Sequence, residues 1–218
     1  MMREERNVRR WPLLAACALS AALAASPARG AELVFARDAS GSPDARRAVT
    51  LCLDSAKADD DAKREAMLRQ GLDVAERAVA ANPNEAKAHF AVFCNLGRAL
   101  EADGASFAGV AQLSRLKAAI DRTLALEPRF VDAMTAKGSL LVRLPGILGG
   151  DADEGEHLLR RAVELAPNHA PSRLELAKAL DEKGDKEAAL EEARKALSFA
   201  DSPTVIAEAR VLAEQLGS

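Results

Sequence analysis

The residues able to do chemistry are few, and they do not converge. The 218-residue chain holds three histidines, His89, His157 and His169, and three cysteines, Cys17, Cys52 and Cys94. A zinc site draws its His and Cys ligands at close spacings, and neither Cys-x-x-Cys nor His-Glu-x-x-His occurs. Gly-x-Ser-x-Gly, the nucleophile turn of many hydrolases, is absent, as is a Gly-rich run ending in Gly-Lys-Ser/Thr. Asp59-Asp60-Asp61 lacks the alternating oxygens of a calcium loop and reads as a helix start or a solvated turn. His157 follows Glu156 on a charged helix face, and His169 stands in the Pro167–Pro171 turn near a helix start. The expectation is therefore no catalytic residue, no metal and no cofactor. Cys52 and Cys94 admit two readings, a disulfide in an oxidising compartment or two buried, inert thiols.

The compartment is addressed by the first 30 residues. Arg3, Arg6, Arg9 and Arg10 precede an apolar run from Trp11 to Ala25 that only Ser20 interrupts. Ser26-Pro27-Ala28 and Ala28-Arg29-Gly30 then offer small residues to a signal peptidase. Positive, apolar and small-residue segments in that order predict an exported protein, periplasmic or secreted. The run is shorter than the roughly 20 residues of a membrane span. Membrane attachment would need an uncleaved signal or lipidation of Cys17 in the lipobox-like Leu14-Ala15-Ala16-Cys17. Without residues 1–30, which carry five Arg and two Glu, the net charge falls from −3 to −6. No basic stripe with interleaved aromatics appears, so nucleic acid is excluded as a partner.

The elements that would hold any site are helices. Ala and Leu with Glu, Lys and Arg are strong helix formers, and β-branched runs are missing. Residues 31–43 carry turn chemistry and read as a linker, with Ser42-Pro43 as N-cap and first helical residue. From Asp44 the chain is amphipathic helix with short breaks. Four breaks resemble one another, at Pro83, Pro128, Pro167 and Pro203. Recurrence at this spacing signals a helical solenoid.

Residues 170–203 are the clearest unit, with Ala177, Leu180, Gly184, Ala189 and Ala196 at the places where tetratricopeptide repeats put small, large, Gly, small and small residues. The unit resembles that family. Residues 131–167 match with Gly138, Leu141, Gly155, Ala162 and Pro167 around an inserted loop. Residues 90–128 match in their first helix, through Phe93, Leu96, Gly97, Leu100 and Gly104, and residues 44–83 match loosely. The resemblance implies an all-α, right-handed helical solenoid over 44–218, with about four hairpins and a capping helix near 204–216. It also implies a concave partner groove lined by Cys94, Arg98, Glu101, Thr135, Ser139, Val142, Arg143, Leu174, Lys178 and Asp181.

The inserted loop carries a narrower resemblance. Leu144-Pro145-Gly146-Ile147-Leu148-Gly149-Gly150-Asp151, followed by Gly155, Leu158, Ala162 and Pro167, is similar to the Leu-Pro…Gly-Gly-Asp segment of TRAP-transporter T-components. Those are exported repeat proteins that work with the solute-binding subunit of the transporter. Leu144, Pro145, Gly146, Gly149, Gly150 and Asp151 thus form a candidate functional loop. A purely structural role also fits, with Gly149-Gly150 supplying special backbone angles and Asp151 with Glu154 capping the next helix. The expected function is a non-catalytic scaffold for a protein partner, such as a periplasmic solute-binding protein of a TRAP system. The alternative is a periplasmic carrier that holds a small apolar ligand in the solenoid.

Overall fold

A computed structural model describes residues 33–103 and 107–217. The expected signal peptide, its cleavage sites and Cys17 lie outside the described residues. Among those described are nine α-helices: α1 (Pro43–Ser55), α2 (Asp61–Ala81), α3 (Ala86–Asp103), α4 (Phe107–Leu126), α5 (Val131–Arg143), α6 (Ala152–Leu165), α7 (Ala170–Lys183), α8 (Lys186–Phe199) and α9 (Pro203–Leu216). They form an all-α helical solenoid. Successive pairs α1/α2, α3/α4, α5/α6 and α7/α8 are antiparallel hairpins, and α9 closes the stack against α8 and α7.

Local sequence sets the helix ends. Ser42 caps α1 by accepting from the Ala45 N–H, with Pro43 in the first turn. Asp60, the middle of the three consecutive aspartates, caps α2 by accepting from the Lys63 N–H at 2.7 Å. Asp151 and Asp185 do the same for α6 and α8. Gly184 ends α7 in the left-handed region at φ +89°, which a side chain would resist.

Small residues let the paired helices approach. Ala177, Ala189, Ala193 and Ala196 are wholly buried between α7 and its neighbours. In α5/α6 the crossing is glycine on glycine. A Cβ on Gly155 would come within 2.8 Å of the Gly138 carbonyl and 2.7 Å of Val142 Cγ2. The first two hairpins share a larger core, in which Val49, Val74, Phe90 and Ile120 meet Phe130. The Phe90 and Phe130 rings meet at a tilt of 36°, 4.8 Å between centroids. Phe130 precedes α5, so one aromatic side chain plugs the third hairpin into the core of the first two.

Two further ties hold the stack, one within the first two hairpins and one crossing from them to the rest. Cys52 on α1 and Cys94 on α3 form a disulfide with their Cα atoms 6.0 Å apart. Residues 33–42, expected as a linker, instead run as a strap past the starts of α3, α5 and α7. Val34 and Phe130 form a parallel bridge, with the Val131 N–H donating to the Val34 carbonyl at 2.9 Å. The Ala36 N–H donates to Asp132 Oδ2 at 2.7 Å. Leu33 and Phe35 pack against the cluster of Val131, Met134, Ala162 and Ala166. Lys87, only 3% exposed, pairs with Asp38. The strap therefore crosses the junction between the second and third hairpins, where helix packing is lightest.

Candidate functional site

Helices α1, α3, α5, α7 and α9 are the first members of their units, and α5 packs on α7 and α7 on α9. Their shared face carries a chain of charges. Glu175 on α7 accepts from Arg143 of α5 at 2.7 Å, from Lys178 at 2.8 Å and from the Ser139 hydroxyl. Lys178 also reaches Glu208 on α9 at 2.7 Å. Burial would raise the Glu175 pKa, but Arg143 and Lys178 outweigh it and hold the carboxyl below its ordinary value. Burial would likewise lower Lys178, yet Glu175 and Glu208 hold it above its ordinary value. Ser139, Arg143 and Lys178 are thus brought together as expected of one face. Glu175 and Glu208, which complete the chain, were not among the expected groove residues. The signal for Glu175 was its place one turn before Lys178 on the same helix face.

Three expected groove residues do not line it. Cys94 gives its sulfur to the disulfide. Thr135 is buried, and its hydroxyl meets Ser172 Oγ at 2.6 Å. Leu174 is buried with Ala196 and Ala209, because α8 and α9 close over it. Val142 is half-buried and packs on the cluster around Leu159 and Leu180. Glu101 is exposed and Asp181 half-buried. Arg98 is half-exposed and makes no ion pair among the described residues.

A serine, a histidine and an aspartate do come together beside this face. His169 Nδ1 lies 2.6 Å from Ser172 Oγ, and His169 Nε2 lies 3.5 Å from Asp132 Oδ1. The order imitates a hydrolytic triad. However, Ser172 is fully buried and its hydroxyl already bonds Thr135, so no substrate carbonyl can approach it. The group instead ties the start of α7 to α5, while the Phe35 ring of the strap lies 5.7 Å from the His169 ring. Among the described residues no three His, Cys, Asp or Glu side chains converge as metal ligands. No described helix is long and apolar enough to cross a membrane.

The inserted loop is internally bonded. Gly146–Leu148 form one 3₁₀ turn, and Gly149 follows at φ +81°. The N–H groups of Leu148 and Gly150 both donate to the Pro145 carbonyl, at 2.9 and 3.1 Å. Gly150 sits so close to the Leu144 carbonyl that a Cβ would fall 1.7 Å from its oxygen. Asp151 caps α6 through the Glu154 N–H at 3.0 Å, but its own N–H donates to the Leu141 carbonyl, so the reciprocal half of a capping box is missing. Lys117 of α4 reaches the Gly149 carbonyl at 3.3 Å. Leu144 and Leu148 are half-buried, whereas Ile147 is 94% exposed. The loop is a braced stalk that holds one large aliphatic side chain in solvent.

The family model described as "TRAP transporter T-component" matches residues 44–203, from the start of α1 to the start of α9. No curated protein matches the sequence. Among solved structures, TTC0263, a thermophilic TPR protein of Thermus thermophilus, has a TM-score of 0.56 at 18% identity, covering 78% of this chain and 90% of that one. At that identity the likeness is one of fold. A MamA RS-1 double mutant gives a TM-score of 0.48 at 16% identity, with 82% of this chain and 97% of that chain covered. YrrB, described as a TPR protein with an unusual peptide-binding site, gives 0.39 at 16% identity, with 75% and 99% covered.

Proposed function

This chain belongs to the TRAP transporter T-component family, and on that premise we propose that it is an exported, non-catalytic scaffold that docks the solute-binding subunit of a TRAP-type transport system. Export is supported by the arginine-rich start, the apolar run and the small residues after it. A disulfide between Cys52 and Cys94 suits the same oxidising compartment. The observation that carries docking is Ile147. A single exposed aliphatic side chain is ordinary on a protein surface, but this one stands clear of the protein at the tip of a braced loop. Here the stalk is fixed by its own hydrogen bonds, so little conformational entropy is lost when a partner closes over it.

The inner face contributes a charge pattern that is largely settled within the protein. Arg143, Glu175, Lys178 and Glu208 are mutually paired, which leaves Arg98 as the cation best placed to meet a partner carboxylate. The experiment is titration calorimetry of the purified protein against a TRAP solute-binding subunit from the same source. Arg98→Glu and Ile147→Asp separate groove from loop. Each is expected to weaken capture without moving the melting temperature. Failure of the parent protein to bind that subunit would refute the transport reading.

A further inference from the structure

Away from both the inner face and the loop, α2 and α4 leave an open trough over the start of α3, with a volume of about 580 Å³. Its walls are Val79 and Ala80 on one side and Ala118 and Ala119 on the other, with Val92 beneath. The two ends differ in charge. At one end Arg115 pairs with Glu76, so the guanidinium is neutralised. At the other, Arg122 donates to the side-chain oxygen of Asn84 at 2.6 Å, a neutral amide. No carboxylate lies within ion-pair distance of Arg122 among the described residues. His89 beside it has Nε2 2.9 Å from the Pro83 carbonyl, which gives that end another polar group but no anion.

Arg115 and Arg122 are seven residues apart on α4, or about 10 Å along the helix. The trough is therefore an apolar track of that length, with one uncompensated cation at its end. We infer that it binds an amphipathic monoanion, a medium-chain carboxylate whose head meets Arg122 and whose tail lies over Val79, Val92 and Ala119. A fork of guanidinium donors suits a planar carboxylate. The ion pair at the far end disfavours a second charge there, so a dicarboxylate or a long acyl chain fits less well. This site is independent of the scaffold reading, since it needs no partner protein.

The test uses the purified protein and octanoate, followed by calorimetry and by NMR shifts of the Val79 and Val92 methyl groups. Affinity is expected to rise along hexanoate, heptanoate and octanoate by up to about fourfold for each methylene buried. Arg122→Gln should weaken octanoate by about tenfold, the scale of one charged hydrogen bond. Ala118→Glu, at an exposed position on a helix, should abolish binding without unfolding α4. Octylamine and octanol should bind more weakly than octanoate. The proposal is overturned if octanoate leaves the valine methyls unshifted at millimolar concentration, or if octylamine matches it. Arg122→Gln binding like the parent overturns it as well. Preference for a peptide ending in a leucine carboxylate would reassign the trough to a polypeptide terminus and equally overturn it.

Discussion

The first two hairpins and the last two are built on one plan but held by different means. In α7/α8 the small residues of the repeat fall where helices cross, and Ala177, Ala189 and Ala196 are buried without remainder. In α5/α6 glycines take the first two of these places, with no room for a Cβ at either. The first half departs from this pattern. Thr123 and Leu116 stand in α4 where small residues are usual, and a larger, more varied core fills the gap. That half also carries the disulfide and the Lys87–Asp38 pair, the end of a strap whose other contacts lie on α5, α6 and the start of α7. The lesson is that the covalent tie stands where the small-residue pattern is weakest, while the strap joins that half to the next. Each tie can be cut separately, which makes the comparison testable.

The largest effect should come from the disulfide. Cys52 and Cys94 are 42 residues apart, and closing a loop of that length stabilises the folded chain by about 4 kcal/mol in the chain-entropy treatment. Urea unfolding of Cys52→Ser/Cys94→Ser should show a loss of that size. Hydrogen exchange should speed up first in α1–α4, and equal acceleration in α7–α9 would break the distinction between the halves.

In the second half the corresponding cut is steric. Gly155→Val should cost about 3 kcal/mol, because its side chain has no space beside the Gly138 carbonyl and Val142. Thermal unfolding checks this. A neutral result would mean that the glycine crossing is not what holds α5 to α6.

The strap gives the next effect, and it depends on pH. Burial would raise Asp38, but Lys87, the Ser40 hydroxyl and the N–H groups of Phe35 and Ser40 hold its pKa at about 2, down from an ordinary 3.8. A depressed folded-state pKa stabilises above the unfolded value and is lost as pH falls through the folded one. Asp38 should therefore contribute about 2 kcal/mol above pH 4, decaying as pH falls toward 2. Asp38→Asn should be less stable than the parent at pH 7 and close to it at pH 2. A gap that persists unchanged at pH 2 would show that the pair is not the source.

The smallest structural effect belongs to the exposed ion pairs of α6. Lys183 foremost, and then Arg160, hold the Glu156 pKa below the usual value against the opposing effect of burial. Lys183 is itself exposed, and pairs of this kind are screened by solvent and contribute little. Lys183→Ala should leave the denaturation midpoint almost unmoved.

Much of this fold was legible in the sequence, for local reasons. Ser42 and Asp151 cap helices as expected, and Asp60 stands at a helix start, because a short oxygen side chain next to a helix start has few other places to go; the cap by Asp185 was not among those expected. Small residues at repeat spacing announced the crossings in the last two hairpins. The strap was not legible. Its contacts reach across 96 residues from Ala36 to Asp132 and 49 from Asp38 to Lys87, and no periodicity marks either end. The groove was half legible. Ser139, Arg143 and Lys178, selected by template position, do lie together around Glu175, whereas Thr135 and Leu174 are buried, because the template ignores how far the next helix closes over a first turn. Ile147 was read only as part of its loop. That it stands clear of the protein depends on the hydrogen bonds of Pro145 and the tight fit of Gly150, which composition does not reveal.

The central claim is that the braced loop docks the solute-binding subunit, and calorimetry with Ile147→Asp tests it most directly. The substitution removes a side chain that touches almost nothing in the protein, so the melting temperature should not change. Affinity for the subunit should fall by about thirtyfold, the scale of a buried anchor residue at an interface. Parent and variant binding with equal affinity would contradict the account.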